Sequence, residues 1–395
     1  MSGGASAIRH GQADLLSGVR VLDLSRILAG PWCSQLLADL GATVLKIERA
    51  GPGDDTRQWG PPWYTPEIAS YYTCTNRGKV SLSADFKNPE HLAQIRLLAS
   101  RADVVIENFK VAQLKGFGLD AESLRAANPG LIYCSISGFG QNGPLASQAG
   151  YDFALQAYTG LMRITGEPGR EPQKVGVAVI DLFTGLYACN AITAALLRKG
   201  RTGEGATIDC ALLDTGVALL ANQAAGFLVG GKVPQSLGNA HPSIVPYQAY
   251  ATADGYMVIA VGNDGQFAAL AQALGQHDWI ADARFATNPA RVAHRDALNQ
   301  VLAPILSQRP RQEWIGLLTP LGVPCTPVLG VNEIFSEPQV TERALCVSSE
   351  GSDGFPAVTT LGQPMVIDGL RPAHPLAPGP VGPEVTTYSS GQTPF

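Results

Sequence analysis

The stretch QAGYDFALQAYTGLMRITG, residues 148–166, places one carboxylate, Asp152, at the head of a mostly apolar or small segment. A carboxylate in that position has two uses. It can cap a helix N-terminus, a contact worth about 1 kcal/mol, or it can face a crevice and do chemistry. Helical spacing predicts that Asp152, Gln156, Thr159 and Arg163 form one narrow polar line. Phe153, Ala157, Leu161 and Ile164 fall on one flank, and Leu155, Tyr158 and Met162 on the other. The line fits a solvent-facing stripe or a crevice wall equally well. Arg163 stands roughly 16 Å along the axis, too far to pair with Asp152.

Competing chemistries are poorly supplied. No two of the six histidines (His10, His91, His241, His277, His294, His374) lie three to five residues apart, so no metal site is expected. None falls between 92 and 240, and GxSxG is absent, so a base for a serine or cysteine nucleophile would have to come from a distant segment. The seven cysteines form no CxxC pair and read as small buried hydrophobes in a reducing compartment. GFGQNG (138–143) matches GxGxxG after a strand. However, Pro144 follows where a helix should open, and no acid lies near 160, so a glycine-permissive loop at a strand's carboxyl end is the better reading. Glu48 and Arg49 read as a surface ion pair, or Arg49 as a contact for an anionic ligand.

The elements that must position these groups are legible from periodicity. GVRVLDLS (18–25), PWCSQLLADLG (31–41) and ATVLKIER (42–49) predict strand, helix, strand, a βαβ unit and hence a parallel sheet. ADVVIENF (102–109) and LIYCSIS (131–137) add buried strands; PEHLAQIRLLASR precedes the first as a helix. The result is a doubly wound α/β domain, whose ligand edge lies at the strands' carboxyl ends. A helix is predicted over 181–200 and a strand within 201–214. The loop GKVPQSLGNAHPSIVP (231–246) marks entry to a second unit, which opens with a hairpin turning at Asp254-Gly255. GVPCTPVLGVNEIF (322–335) reads as the return to the first, and the Pro- and Gly-rich segment from Arg371 onward as a surface wrap. The predicted division is a flexible tail over 1–17, a large domain over 18–225 and 330–395, and a small α+β domain over 226–329.

With 395 residues, 45% hydrophobic and only 15% charged, the chain reads as a well-packed enzyme. A net charge of −5 without a basic run argues against nucleic acid as the main partner. The N-terminus lacks an apolar signal core, and the longest apolar stretch, 211–231, is interrupted by Asp214, Asn222 and Gln223. A cytoplasmic protein with no membrane partner is therefore expected.

Seven motifs, in order from about residue 18 to 370, carry a resemblance: VLDLSRILAGPWCSQLLADLGATVLKIER, GDDTRQWGPPW, ADVVIENF, LIYCSISGFGQNGP, GYDFALQAYTGLM, RTGEGATIDCALLD and GNAHPSIVPYQAYATADGY. Together they resemble the class III (CaiB/BaiF-type) CoA-transferases. GDDTRQWGPPW and HPSIVPYQAY look most like members acting on dicarboxylates, of the succinate–hydroxymethylglutarate, itaconate and citramalate types. The resemblance implies an interlocked homodimer with a Rossmann-like large domain. It implies that Asp152 of GYD is the nucleophile, and that CoA is held by Ala29, Arg49, Ala84, Asp85, Phe86, Lys87, Asn108, Phe109, Lys110, Ser137, Gly138, Phe139 and Gly140. Lys115 stands for a family basic residue displaced by one position. Gly238, Asn239 and His241 match a loop that covers the site. The implied reaction moves CoA from an acyl-CoA such as succinyl-CoA to a small acid through aspartyl anhydride and thioester intermediates, with no metal and no redox cofactor. The alternatives are an α-methylacyl-CoA racemase, whose upstream histidine has no counterpart here, and a catalytically silent CoA-binding protein. The family's acidic C-terminus is replaced by APGPVGPEVTTYSSGQTPF.

Overall fold

The computed structural model describes residues 8–351 and 355–387. They divide into two units. The first comprises 8–161, 175–225, 338–351 and 355–387, and the second Met162–Lys174 and Gly226–Glu337.

The first unit is built on six parallel strands: β1 (Arg20–Asp23), β2 (Thr43–Arg49), β3 (Lys79–Ala84), β4 (Val104–Glu107), β5 (Ile132–Ser137) and β6 (Ala206–Ala211). Their order is β3-β2-β1-β4-β5-β6, the doubly wound arrangement that reverses direction between β1 and β4. Both faces are covered, which is why the strands are apolar runs rather than alternating ones. Alternation instead sorts residues between two cores. Val21 joins Val44, Ile106 and Ile136 on one side; Leu22 joins Leu45, Leu82 and Val105 on the other.

Helices α1 (Ala29–Asp39), α2 (Pro89–Arg101), α3 (Asp152–Tyr158) and α4 (Val179–Thr202) pack on this sheet or line its edge. α2 starts where Asn88 accepts the Glu90 N–H with Pro89 behind it, and α4 ends on Gly203 at φ 76°. α4 is long and apolar enough to cross a bilayer, and only a third of its most apolar stretch is buried. Ile180, Ala188, Cys189 and Ile192 pack into the first core, while Phe183, Leu186, Tyr187 and Leu197 are exposed.

Both ends of the first unit differ from expectation. Arg9–Gly11, inside the segment read as a loose tail, pairs in parallel with Leu370–Pro372. Past Arg371 the chain returns to the sheet: Ser83 bridges Glu384, the Gly382 N–H donates to Ser81 Oγ (3.2 Å), and Val385 joins the second core. Residues 1–7 and 388–395 of the two predicted tails lie outside the described residues.

The second unit holds a three-stranded antiparallel sheet of β7 (Tyr247–Thr252), β8 (Gly255–Ala260) and β9 (Cys325–Pro327), with the predicted turn at Asp254-Gly255. Helices Asp264–Ala273, Arg295–Leu306 and Arg311–Leu318 close its core around Met257, Phe267, Leu302 and Trp314. Fully buried Arg291 ties it together, donating to the carbonyls of Val245 (2.7 Å) and Phe285 (2.8 Å) and to Asp264 (2.7 Å). Residues 322–335, read as a return to the large domain, belong here. β9 pairs with β8, and Arg311 holds Glu333 at 2.9 Å, so the crossing back comes at Pro338. The excursion Met162–Lys174 was not foreseen.

Candidate active site

The chain diverges after β1 and β4, and a cavity of about 700 Å³ opens there. It is lined by the segment Leu24–Ala29 after β1, the end of β2, Ala84–Lys87 after β3, Asn108–Val111 after β4 and Ile136–Gly138 after β5. This is the crevice where open α/β sheets take ligands. Asn108 zips its two sides: its Oδ1 accepts the Arg26 N–H (3.0 Å) and its Nδ2 donates to the Arg26 carbonyl (2.7 Å).

The floor is charged. Lys46 meets Asp54 at 3.0 Å and Lys79 meets Asp23 at 3.2 Å, all four buried. Glu48 is no surface partner for Arg49. Strand alternation turns it inward, where Arg57 grips it bidentately (2.8 and 2.7 Å) with Ser81 and Tyr72 beside it. Burial alone would raise the Glu48 carboxyl, but Arg57 and Lys46 hold it at about 2. Arg49 faces out, 3.5 Å from Asp55, which also holds Arg26 at 2.7 Å. Lys87 and Lys110 have no carboxylate partner among the described residues. Phe86 stacks on Phe109 and meets Phe117 edge-on, each at 5.7 Å between centroids. The result is an aromatic wall beside free cations.

Asp152 does not itself line the cavity; it sits just behind the wall. Its side chain is 9% exposed, and its neighbours Gly150 and Tyr151, with Gly138, line the space. The chain can reach this point only because two backbones nearly touch: a Cβ on Gly138 would stand 2.5 Å from Gly150 Cα. The glycines of GFGQNG thus serve a backbone crossing and turns, Gly140 and Gly143 having φ of 87° and 91°. No dinucleotide helix opens after them.

Helix α3 does not present its polar line as a solvent-facing stripe. Its polar line points inward, with Gln156 and Thr159 buried, while Phe153 (61%) and Tyr158 (62%) are exposed. The predicted run to Arg163 breaks at Gly160, φ 87°. Asp152 does not cap its own helix, whose N-cap position is Tyr151 and carries no side-chain cap. It caps α4 instead. Asp152 Oδ1 accepts the N–H groups of Ile180 (2.8 Å) and Asp181 (3.3 Å), and Oδ2 accepts from Gln156 Nε2 (2.6 Å). Gln156 is itself oriented by the Val175 N–H (2.9 Å). A carboxylate on a helix N-terminus is favourably placed by the helix dipole and by unsatisfied amides.

Of the residues carried over from the resemblance, Ala29, Arg49, Ala84, Asp85, Phe86, Lys87, Asn108, Phe109, Lys110, Ser137 and Gly138 line this one cavity. Three do not. Lys115 is exposed, 3.6 Å from Glu122. Phe139 packs against Tyr158. Gly140 commits its N–H to Ser137 Oγ (3.0 Å), which removes it as an oxyanion donor. Gly238 and Asn239 line a separate cavity of the second unit with Glu167 and Arg170, and the His241 N–H donates to the Tyr247 carbonyl. Among the described residues no histidine lines the main cavity and no His/Cys/Asp/Glu group suits a metal. Sequence reasoning missed Asp181, which lines the cavity from the third position of α4. The available signal was an acid in the first turn of a long apolar helix.

Such a crevice defines a doubly wound α/β protein that receives an anionic ligand at its switch point and offers it a carboxylate. Known proteins sharpen this. The chain belongs to CoA-transferase family III, whose model matches residues 16–382, and is a CoA-transferase. It is 50% identical over 352 residues to a succinate–glutarate CoA-transferase of Agrobacterium fabrum, covering 87% of this chain and 88% of that one. It is 44% identical over 335 residues to the human succinyl-CoA:glutarate CoA-transferase, covering 85% and 76%. Among solved structures, a CaiB/BaiF family protein from Brucella suis superposes with a TM-score of 0.83 at 47% identity, covering 93% of this chain and 96% of that one.

Proposed function

We propose that this CoA-transferase moves CoA from succinyl-CoA to a dicarboxylate, glutarate first, with Asp152 as the covalent carrier. The observation that carries the reading is the seat of Asp152: Oδ1 on two amides of α4 and Oδ2 on Gln156, beside the Gly138–Gly150 crossing. The names of the relatives at 50% and 44% identity support the substrates.

The exchange of one thioester for another is close to isoenergetic, so it needs a carrier rather than an energy source. Asp152 Oδ2 attacks the donor thioester carbonyl, giving a mixed anhydride and a CoA thiolate. The thiolate attacks the aspartyl carbonyl, expelling succinate and leaving an aspartyl-CoA thioester. In that step the negative charge develops on Oδ1, which already rests on the N–H groups of Ile180 and Asp181. These amides act as an oxyanion hole preformed for the carrier's own carbonyl, a contribution worth about 3 kcal/mol per donor in comparable sites. The acceptor carboxylate then attacks, and a second anhydride passes CoA on. Arg49, Lys87 and Lys110 suit the phosphates of CoA, and the wall of Phe86, Phe109 and Phe117 suits a flat ring.

A second copy is the expected cover for the exposed apolar side chains of α3 and α4, in keeping with the interlocked dimer that the resemblance implies. Sedimentation velocity tests this; a monomer at all concentrations opposes it. The free thiols fit a reducing, cytoplasmic setting.

The deciding experiment treats the enzyme with succinyl-CoA, traps with hydroxylamine and maps the peptide carrying Asp152 by mass spectrometry. A modification on Asp152, with CoA exchange abolished in D152A, is expected. Wild-type exchange by D152A refutes the carrier.

A further inference from the structure

Asp181 is an acid that the covalent scheme does not use. It lies at the third position of α4, its N–H 3.3 Å from Asp152 Oδ1, and its side chain lines the cavity. No hydrogen bond or ion pair engages its carboxyl among the described residues. The charged and titratable groups acting on it are few. From α3 comes Asp152; from the short helix Ser70–Thr73 comes Tyr71, whose phenol is pushed up to about 12 by burial and by Cys74, Asp181 and Asp152. No Lys or Arg offsets them. Burial first, and the negative charge of Asp152 second, push the Asp181 carboxyl up to about 7. Asp152 accepts three N–H donors whereas the Asp181 carboxyl meets none among the described residues, and two neighbouring carboxyls in such different settings are the usual arrangement for a division of labour.

We propose that Asp181 carries the proton of the CoA thiol through the cycle. This rests on Asp152 as the covalent carrier. When Asp152 attacks the thioester and the C–S bond breaks, the Asp181 O–H protonates the departing thiolate, giving CoA thiol and the Asp181 carboxylate. Acylation removes the charge of Asp152, one of the two causes that keep Asp181 protonated, so the transfer is favoured at that moment. The Asp181 carboxylate then takes the proton back as the sulfur attacks the aspartyl carbonyl, and succinate leaves. The same exchange repeats when the acceptor displaces CoA. Protons balance over each half-reaction, and thiolate never has to wait uncompensated beside two carboxylates.

The test pairs D181N with the wild-type enzyme, reading CoA exchange across pH, the solvent deuterium isotope effect, and the trapped Asp152 adduct. The acid form is required at the start, so wild-type kcat/KM should fall as pH rises through about 7. In D181N that limb should vanish and kcat should drop by about a hundredfold, the low end for proton-transfer catalysis, because thiolate is a good leaving group. The adduct should still form. Wild-type rate and pH profile in D181N overturn the proposal. Should D181N not fold, the wild type decides alone: an alkaline limb near pH 7 with an isotope effect above unity supports it, and the absence of both overturns it. A wild-type enzyme with no adduct on Asp152 refutes the carrier itself, a separate readout.

Discussion

Arg57→Met leaves the Glu48 carboxylate buried without its partner while keeping most of the side chain's volume. Arg57 donates to both Glu48 oxygens and to Tyr72, and its guanidinium lies 3.8 Å from the centre of the Tyr72 ring. The fall of the Glu48 carboxyl from its ordinary 4.5 to about 2 corresponds to about 3 kcal/mol of stability at neutral pH. That agrees with the roughly 3–5 kcal/mol lost when one member of a buried pair is removed. The sign follows from the direction. A folded-state value below the unfolded one stabilises fully above pH 4.5, and the benefit is lost as pH falls through about 2. The difference between wild type and R57M in denaturant unfolding should therefore be about 3 kcal/mol at pH 7 and less than half of that at pH 3. Other carboxylates cancel in this difference. Hydrogen exchange of the β2 amides should locate the loss in the first unit, and E48L/R57M should recover most of it. A difference below about 1 kcal/mol at pH 7, or one that does not shrink by pH 3, refutes the assignment of Glu48–Arg57 as the clamp at the end of β2.

Two further predictions concern the cavity. K87A and K110A should each raise KM for succinyl-CoA several-fold with kcat nearly unchanged, and steady-state kinetics should show a weaker salt dependence of KM than in wild type; an unchanged KM in both places the phosphates elsewhere. G138A forces a Cβ against the Gly150 backbone, so it should destabilise by about 1–3 kcal/mol and lower kcat at least tenfold by displacing Asp152, read from thermal unfolding and turnover; wild-type kcat in G138A removes the crossing from the catalytic argument.

The parallel sheet was legible because buried strands leave a simple mark: VRVLDL, TVLKIE and DVVIEN are β-branched runs with helices between. Asp152 was visible as a lone carboxylate in an apolar setting, though its partner helix was not. Pattern reading sees contacts three or four residues apart, whereas Asp152 caps a helix that begins 27 positions later in the chain, at Val179. Its polar line could not be oriented either, since the usual rule that apolar faces turn inward fails on α3. There Phe153 and Tyr158 face out and Gln156 faces in. Glu48 was misread for a related reason: its real partner, Arg57, lies across a turn that adjacency to Arg49 concealed. The segment Met162–Lys174 left no compositional trace of its transfer to the second unit.

The seat of Asp152 on α4 makes the chemistry audible in the backbone. On the proposed cycle acylation turns a charged acceptor into a neutral carbonyl that persists until the second anhydride gives Asp152 back, so the first turn of a 24-residue helix is loosened and gripped once per turnover. The amides of Ile180 and Asp181 are then a clock of covalent state, ticking once per cycle at the head of a helix packed into the first core.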